Sequence, residues 1–229
     1  MCRKSLFFIL LLPSFALVNA EGLDALVVRN MLVKCGVEGL TVDDVAEMAN
    51  GRVVSLDLSN RDVSKDGITS IPEEIGHLTA LRELVCSGNS IEGIPSTIGN
   101  CVDLRKINLA SNRIAIIPPE IGRLRNLESL DLRHNSLAVL PPELVQCSNL
   151  EYLWLWGNKL TSIEPVAHLR KLKELYLKDN RISTLPVGII TMKFNYVDLL
   201  GNKLCNLTGR LDAWARSVDD KYLSTQNCR

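Results

Sequence analysis

Three histidines, a set of recurring aspartates, seven cysteines and a few aromatic rings carry most of the reactive chemistry in this 229-residue chain. A zinc site needs several converging His, Cys or carboxylate ligands. A hydrolytic site needs a nucleophile, a base and an oxyanion donor within reach of one another. His77 and His168 each open an H-L-x-x-L segment four repeated segments apart, and His134 stands alone, so the three cannot share a metal. Asp57, Asp131 and Asp198 hold equivalent places in well-separated segments, too far apart for paired acid–base work. No G-x-S-x-G, H-E-x-x-H or phosphate-cradling glycine loop occurs. The expectation is a chain with no catalytic residues, no metal and no cofactor.

Rings are the more informative chemistry. Only 5% of residues are aromatic, yet Tyr152, Trp154, Trp156, Tyr176 and Tyr196 fall within 45 residues. The elements that must present them show in a repeat. Leucine-type residues open similar segments at Leu81, Leu104, Leu127, Leu150, Leu172 and Phe194, in steps of 23, 23, 23, 22 and 22. Asn89, Asn112, Asn135, Asn158, Asn180 and Asn202 keep the same steps. Ile71, Ile94, Ile117, Leu140, Ile163 and Leu185 recur in steps of 23, 23, 23, 23 and 22, with a proline directly after all but Ile163. Three residue classes in one register mean a solenoid.

The unit reads L-x-x-L-x-L-x-x-N-x-L, as in Leu127 to Leu137, with an IPxxIGxL return in Ile94–Gly99 and Ile117–Gly122. This pattern resembles the leucine-rich repeat family over residues 53–204. The resemblance implies an α/β solenoid: a right-handed horseshoe with about seven parallel strands on its concave side and short 3₁₀ turns outside. Physical reasoning agrees. Positions four and six share one face of a strand, so their side chains can be buried only against a neighbouring unit. The asparagine amide can satisfy backbone groups of the turn. Two irregularities stand out. The first unit has Arg61 in the asparagine place and an insertion around Ser64–Thr69, expected to bulge from one edge. The fifth unit loses a residue near Glu164-Pro165, expected to alter a loop and leave the sheet intact.

The ends have different compositions. Arg3 and Lys4, an apolar run from Leu6 to Val18 and the small-residue site Val18-Asn19-Ala20 read as a signal peptide over residues 1–20, too short to span a bilayer. The expected product is secreted or extracytoplasmic, with no membrane span. With 26 basic and 26 acidic residues there is no excess charge to favour nucleic acid. Residues 21–52 are expected to form a helical cap, one helix around Leu23–Leu32 and a second over Thr41–Met48, capped by Thr41 with Asp44. Residues 205–229 form the other cap, with Leu207, Leu211, Trp214 and Val218 at helical spacing. Cys205 and Cys228 flank that segment and are expected to pair as a disulfide. The helical N-terminal cap together with the W…STQNC ending resembles exported bacterial leucine-rich repeat proteins. Cys86 replaces a core leucine, while Cys101 and Cys147 stand two repeats apart, near 10 Å, too far to bridge. Those three are expected as buried thiols, and Cys35 stays unassigned. Asn206-Leu-Thr208 fits a glycan acceptor.

Strand positions three, five and seven must point away from the core. They place Tyr152, Trp154, Trp156, Tyr176 and Tyr196 on the concave face, with Trp154 and Tyr176 as lateral neighbours. Arg133, His134 and Lys178 should rim the cluster, while Asp131 and Asp198 offer carboxylates. Exposed rings with a charged rim are an interaction surface. The expected partner is a protein or peptide held by a monomer. A glycan stacked on the rings, or a structural role in an envelope or assembly, is the alternative.

Overall fold

The computed structural model describes residues 22–37, 39–60 and 67–228; the leader expected at 1–20, together with Arg61 and Ser64–Asp66 of the insertion, lies outside the described residues. One eight-stranded sheet runs in chain order, β1 (Ala46–Ala49), β2 (Arg52–Asp57), β3 (Glu83–Val85), β4 (Lys106–Asn108), β5 (Ser129–Asp131), β6 (Tyr152–Trp154), β7 (Glu174–Tyr176) and β8 (Tyr196–Asp198). From β2 onward every pair is parallel and in the same register. Leu56, Leu84, Ile107, Leu130, Leu153, Leu175 and Val197 therefore form one inward row, all buried. The α/β leucine-rich repeat solenoid expected from the pattern is the fold observed.

Each strand returns through an outer 3₁₀ turn, such as Ser96–Asn100 or Pro119–Arg123. A proline in the extended conformation precedes most of these turns, for example Pro118 at φ −70°, where no ladder needs its missing N–H. Gly122 is required by closeness: a Cβ there would lie 2.6 Å from the Glu143 carbonyl oxygen of the next turn. At the shortened fifth unit Ile163 precedes its turn at φ −132° and ψ 33°, unlike the prolines, and β6–β7 pairing continues undisturbed.

The asparagines tie the units together. Asn158 Nδ2 donates to the Leu132 and Leu155 carbonyls, both at 2.9 Å, and its Oδ1 accepts the Leu137 N–H at 3.0 Å. Asn89, Asn112, Asn135, Asn180 and Asn202 make the same pattern one unit apart. A buried amide here satisfies three backbone groups that the turn leaves unpaired.

At the N-terminal end, the helix Leu23–Lys34 buries Val27, Val28, Met31 and Leu32. Its Asp24 carboxylate accepts from Arg52 Nε at 2.9 Å and from the Val53 N–H at 3.0 Å. The second helix expected over Thr41–Met48 is not formed. The Thr41–Asp44 capping box exists, but it closes a single 3₁₀ turn, Val42–Asp44. The chain then enters β1, antiparallel to β2. Asn50 and Gly51, both at positive φ, make the tight turn that a right-twisted hairpin favours. The sheet thus gains one strand beyond the seven expected.

At the C-terminal end the helix Gly209–Val218 packs Leu211, Trp214 and Val218 against the core, and Cys205 is bonded to Cys228. The enclosed segment imitates a missing repeat. Leu155 N–H and Leu177 N–H donate to carbonyls of the following unit, whereas Leu199 N–H donates to the Asp219 carboxylate at 2.9 Å. Gly201 N–H reaches Thr225 Oγ1. Leu204 N–H, where the next asparagine would act, is taken by Gln226 Oε1 at 2.9 Å, and Gln226 Nε2 donates to the Leu199 carbonyl.

Candidate functional site

Alternation of side chains along a strand throws positions three, five and seven of each unit onto the open face of the sheet. Register then decides the neighbours. Trp154 pairs laterally with Tyr176 and Asp131 with Trp154. The rings of Tyr152 and Trp154 stack at 5.8 Å between centroids and 11° between planes. Trp154 stacks on Tyr176 at 5.9 Å and 18°, and Tyr176 meets Tyr196 at 4.9 Å and 35°. Four rings from three strands thus make one continuous row. It stays open to water: Tyr152, Trp154 and Tyr176 are half-buried, Tyr196 is 48% exposed, and the C-terminal segment does not cover them.

Trp156 does not join this row. Its ring meets His134 edge-on at 4.0 Å, and the Arg133 guanidinium lies 5.8 Å from its centroid. The cause is a turn. Position eight of the unit adopts positive φ throughout, at Asn60, Gly88, Ser111, His134, Gly157, Asp179 and Gly201. At φ 52° the His134 side chain leans over the next unit, where a Cβ on Gly157 would be 2.7 Å from Nδ1. A glycine follows, and the imidazole rests against Trp156. The five rings expected as one cluster rimmed by Arg133 and His134 therefore divide into a stacked row of four and a separate Trp156–His134–Arg133 group.

The carboxylates also depart from the expectation. Asp131 is 8% exposed; its Oδ1 accepts the Arg133 N–H at 3.1 Å and its Oδ2 pairs with Arg133 Nε at 3.2 Å. It supports the Arg133 backbone and guanidinium and is not a free contact for a ligand. Asp198 accepts the Leu200 N–H at 3.0 Å in the same way, as Asn108 does for Ala110. A short Asx side chain at position five satisfies an N–H two residues on that the ladder leaves open. Burial pushes both Asp131 and Asp198 above the usual carboxylate range, opposed by those backbone bonds. Tyr176 is pushed up to about 12 by burial and by its hydroxyl bond to Glu174 at 2.9 Å, so it stays a neutral donor.

The remaining reactive groups are dispersed. His77 and His168 end outer turns on the opposite side of the molecule from the rings. Among the described residues no three His, Cys, Asp or Glu side chains are grouped to hold a metal ion. Cys86, Cys101 and Cys147 are buried free thiols as expected. Cys101 donates to the Ile75 carbonyl at 3.1 Å and Cys147 to the Ile121 carbonyl at 3.2 Å, and burial pushes both thiols up to about 12. Cys35 is half-buried beside the Ser70 carbonyl. No helix among the described residues is long and apolar enough to cross a membrane.

Comparison with known proteins bears on the repeat. The leucine rich repeat family profiles match residues 80–101, 103–124 and 125–182. A leucine-rich repeat protein of Leptospira interrogans is similar, at 25% identity and TM-score 0.54, over 75% of this chain and 56% of that one. A plant ice-binding protein superposes with TM-score 0.68 at 24% identity, over 79% of this chain and 63% of that one. The functional domain of InlJ from Listeria monocytogenes, described as including a cysteine ladder, gives TM-score 0.56 at 28% identity over 68% of this chain and 32% of that one. This chain thus spans less than two thirds of the length of each. None of the curated proteins compared matches the sequence.

Proposed function

Because the chain is a leucine-rich repeat protein, we propose that it is a secreted, non-catalytic recognition module that holds a protein or peptide against the open face of β6–β8. Proteins of this fold are generally binding modules and commonly mediate protein–protein recognition. The observation that carries the reading is the row Tyr152–Trp154–Tyr176–Tyr196, concentrated on the solvent side of one sheet region in a chain only 5% aromatic. Burying such rings in a partner yields large contact area at low conformational cost. Trp156, with His134 and Arg133 on it, adds a second anchor beside the row, and Lys178, in the same position of the next unit, stands exposed.

Stacking argues against a glycan. A sugar covers a free ring face, but Tyr152, Trp154 and Tyr176 turn their faces toward one another, at 11° and 18° between planes. The offset stacking covers part of each face and leaves ring edges for a partner, which suits apolar side chains of a peptide. Export belongs to the same reading: the Cys205–Cys228 bond suits an oxidising compartment.

Panning a random peptide library on the full chain, followed by calorimetry of the enriched peptides, tests the proposal. Trp154→Ala should weaken them by about tenfold or more, and Asn108→Ala, on the same face three strands from β7, should not. Peptides insensitive to Trp154→Ala, or a sugar array that binds where no peptide does, would overturn it.

A further inference from the structure

The two long edges of the ring-bearing face differ in charge. On the side where the strands end, positions seven and ten of successive units carry Arg133, Lys159, Lys178, Arg181 and Lys203. All are exposed except the half-buried Arg133. Their backbones are held on consecutive rungs: Lys159 N–H donates to the Leu137 carbonyl at 2.8 Å, Arg181 N–H to Leu160 at 2.9 Å, and Lys203 N–H to Ile182 at 2.8 Å. Side chains on such rungs repeat at about the 4.8 Å strand spacing. Arg133 pairs with Asp131, but among the described ion pairs Lys159, Lys178, Arg181 and Lys203 have no carboxylate partner.

On the side where the strands begin, charges already cancel: Arg105 pairs with Glu128 at 2.7 Å and Lys173 with Glu151 at 2.6 Å. Toward the N-terminal end of the same face, a hollow of about 360 Å³ is lined by Asp43, Asp44, Glu47, Asp57 and Glu83. The open face therefore runs from an acidic end to a ring-bearing end whose one edge carries more basic than acidic side chains, Asp179 and Asp198 being the carboxylates near Lys178. Net charge is zero, so this is a separation of charge within the chain. Fields of that kind steer and orient a partner.

We infer that the partner of the aromatic row is an acidic polypeptide segment, with an apolar or aromatic residue seated on Trp154 and Tyr176 and Asp or Glu side chains reaching Lys178, Arg181 and Lys203. This rests on the recognition reading above and adds the chemistry of the partner. The carboxylates of the N-terminal hollow repel the same segment, so it lies at β6–β8 with its acidic residues over the strand ends. Long lysine and arginine side chains without partners lose little existing bonding when a carboxylate arrives, and the half-buried rings beside them exclude water from part of the contact.

Synthetic peptides with one central tryptophan and flanks of Glu, Gln or Lys separate the two claims when titrated by fluorescence anisotropy against the full chain. Glu-flanked peptide should bind about tenfold tighter than its Gln-flanked counterpart, and that advantage should shrink as salt rises from about 50 to about 500 mM. The triple variant Lys178→Gln, Arg181→Gln, Lys203→Gln should erase the advantage, so that Glu- and Gln-flanked peptides bind it alike. Trp154→Ala should weaken both. Equal binding of all three peptides, still lost in Trp154→Ala, overturns the acidic partner and leaves the recognition surface standing. Tighter binding of the Lys-flanked peptide also overturns it. Binding of Glu-flanked peptide that ignores Trp154→Ala overturns the seat on the rings. No binding by any of the peptides overturns both the inference and the reading beneath it.

Discussion

Strands β2–β4 and β6–β8 share a backbone, a register and an inward row of leucine-type side chains, yet their outward residues have little in common. The first group shows Ser55, Asp57, Glu83, Val85, Lys106 and Asn108; the second shows Tyr152, Trp154, Glu174, Tyr176, Tyr196 and Asp198. Inward positions must fill a core that each unit cannot complete alone, so they admit few residue types. Outward positions carry no such demand. Four rings gather on them at β6–β8, where the proposed recognition surface would lie.

If the halves share one core, cavities should cost the same in both. Ile107→Ala and Leu153→Ala should each destabilise by roughly 2–5 kcal/mol in denaturant unfolding; a much smaller loss at one would show that the halves unfold separately. Asn158→Ala and Asn112→Ala form the next pair. Asn158 is bonded to three backbone groups and Asn112 to four, and each loss should cost about 2–4 kcal/mol. Binding should then part the halves: Trp154→Ala or Tyr176→Ala should lose about 1–3 kcal/mol of peptide affinity, while Val85→Ala and Asn108→Ala lose none. Trp154→Ala, Tyr176→Ala and Val85→Ala should leave the unfolding midpoint nearly constant, whereas Asn108→Ala should lower it because the Ala110 N–H loses its acceptor.

The smallest effect is electrostatic. Asp131 and Asp198 have folded pKa values raised by burial. Their contribution to stability is whole below the unfolded carboxylate range, and it is lost as pH rises through the raised folded values. Asp212 behaves oppositely: bonds from Tyr222 and Arg216 hold it low, so its contribution is present above that range and lost as pH falls through its folded value. Carboxyl NMR titration should place Asp131 and Asp198 above, and Asp212 below, the ordinary aspartate midpoint of about 3.9.

The repeat was legible because its inward positions are constrained, and the Trp154–Tyr176 contact followed from register alone. Thr41–Met48 was not. A capping box marks where a helical turn starts and says nothing of its length; Asn50-Gly51, a strong hairpin signal, was the contrary evidence in the sequence. Separation of Trp156 from the row depends on positive φ at His134, which a strand-period reading does not carry. Asp131 turned inward because an N–H two residues on needed an acceptor. Gln226 carries no repeat signal because it stands 24 residues after Asn202, off the usual step, and has a longer side chain than the amide it replaces.

That last substitution matters for what happens between molecules. A stack of identical units has no intrinsic stopping point, and its final strand would offer a second copy the same row of donors that each strand offers the next. Asp219, Thr225 and Gln226 take the Leu199, Gly201 and Leu204 N–H groups first. Three of the donors that a further unit would use are thereby occupied from within the chain, which leaves the last repeat less able than an inner one to accept a second copy.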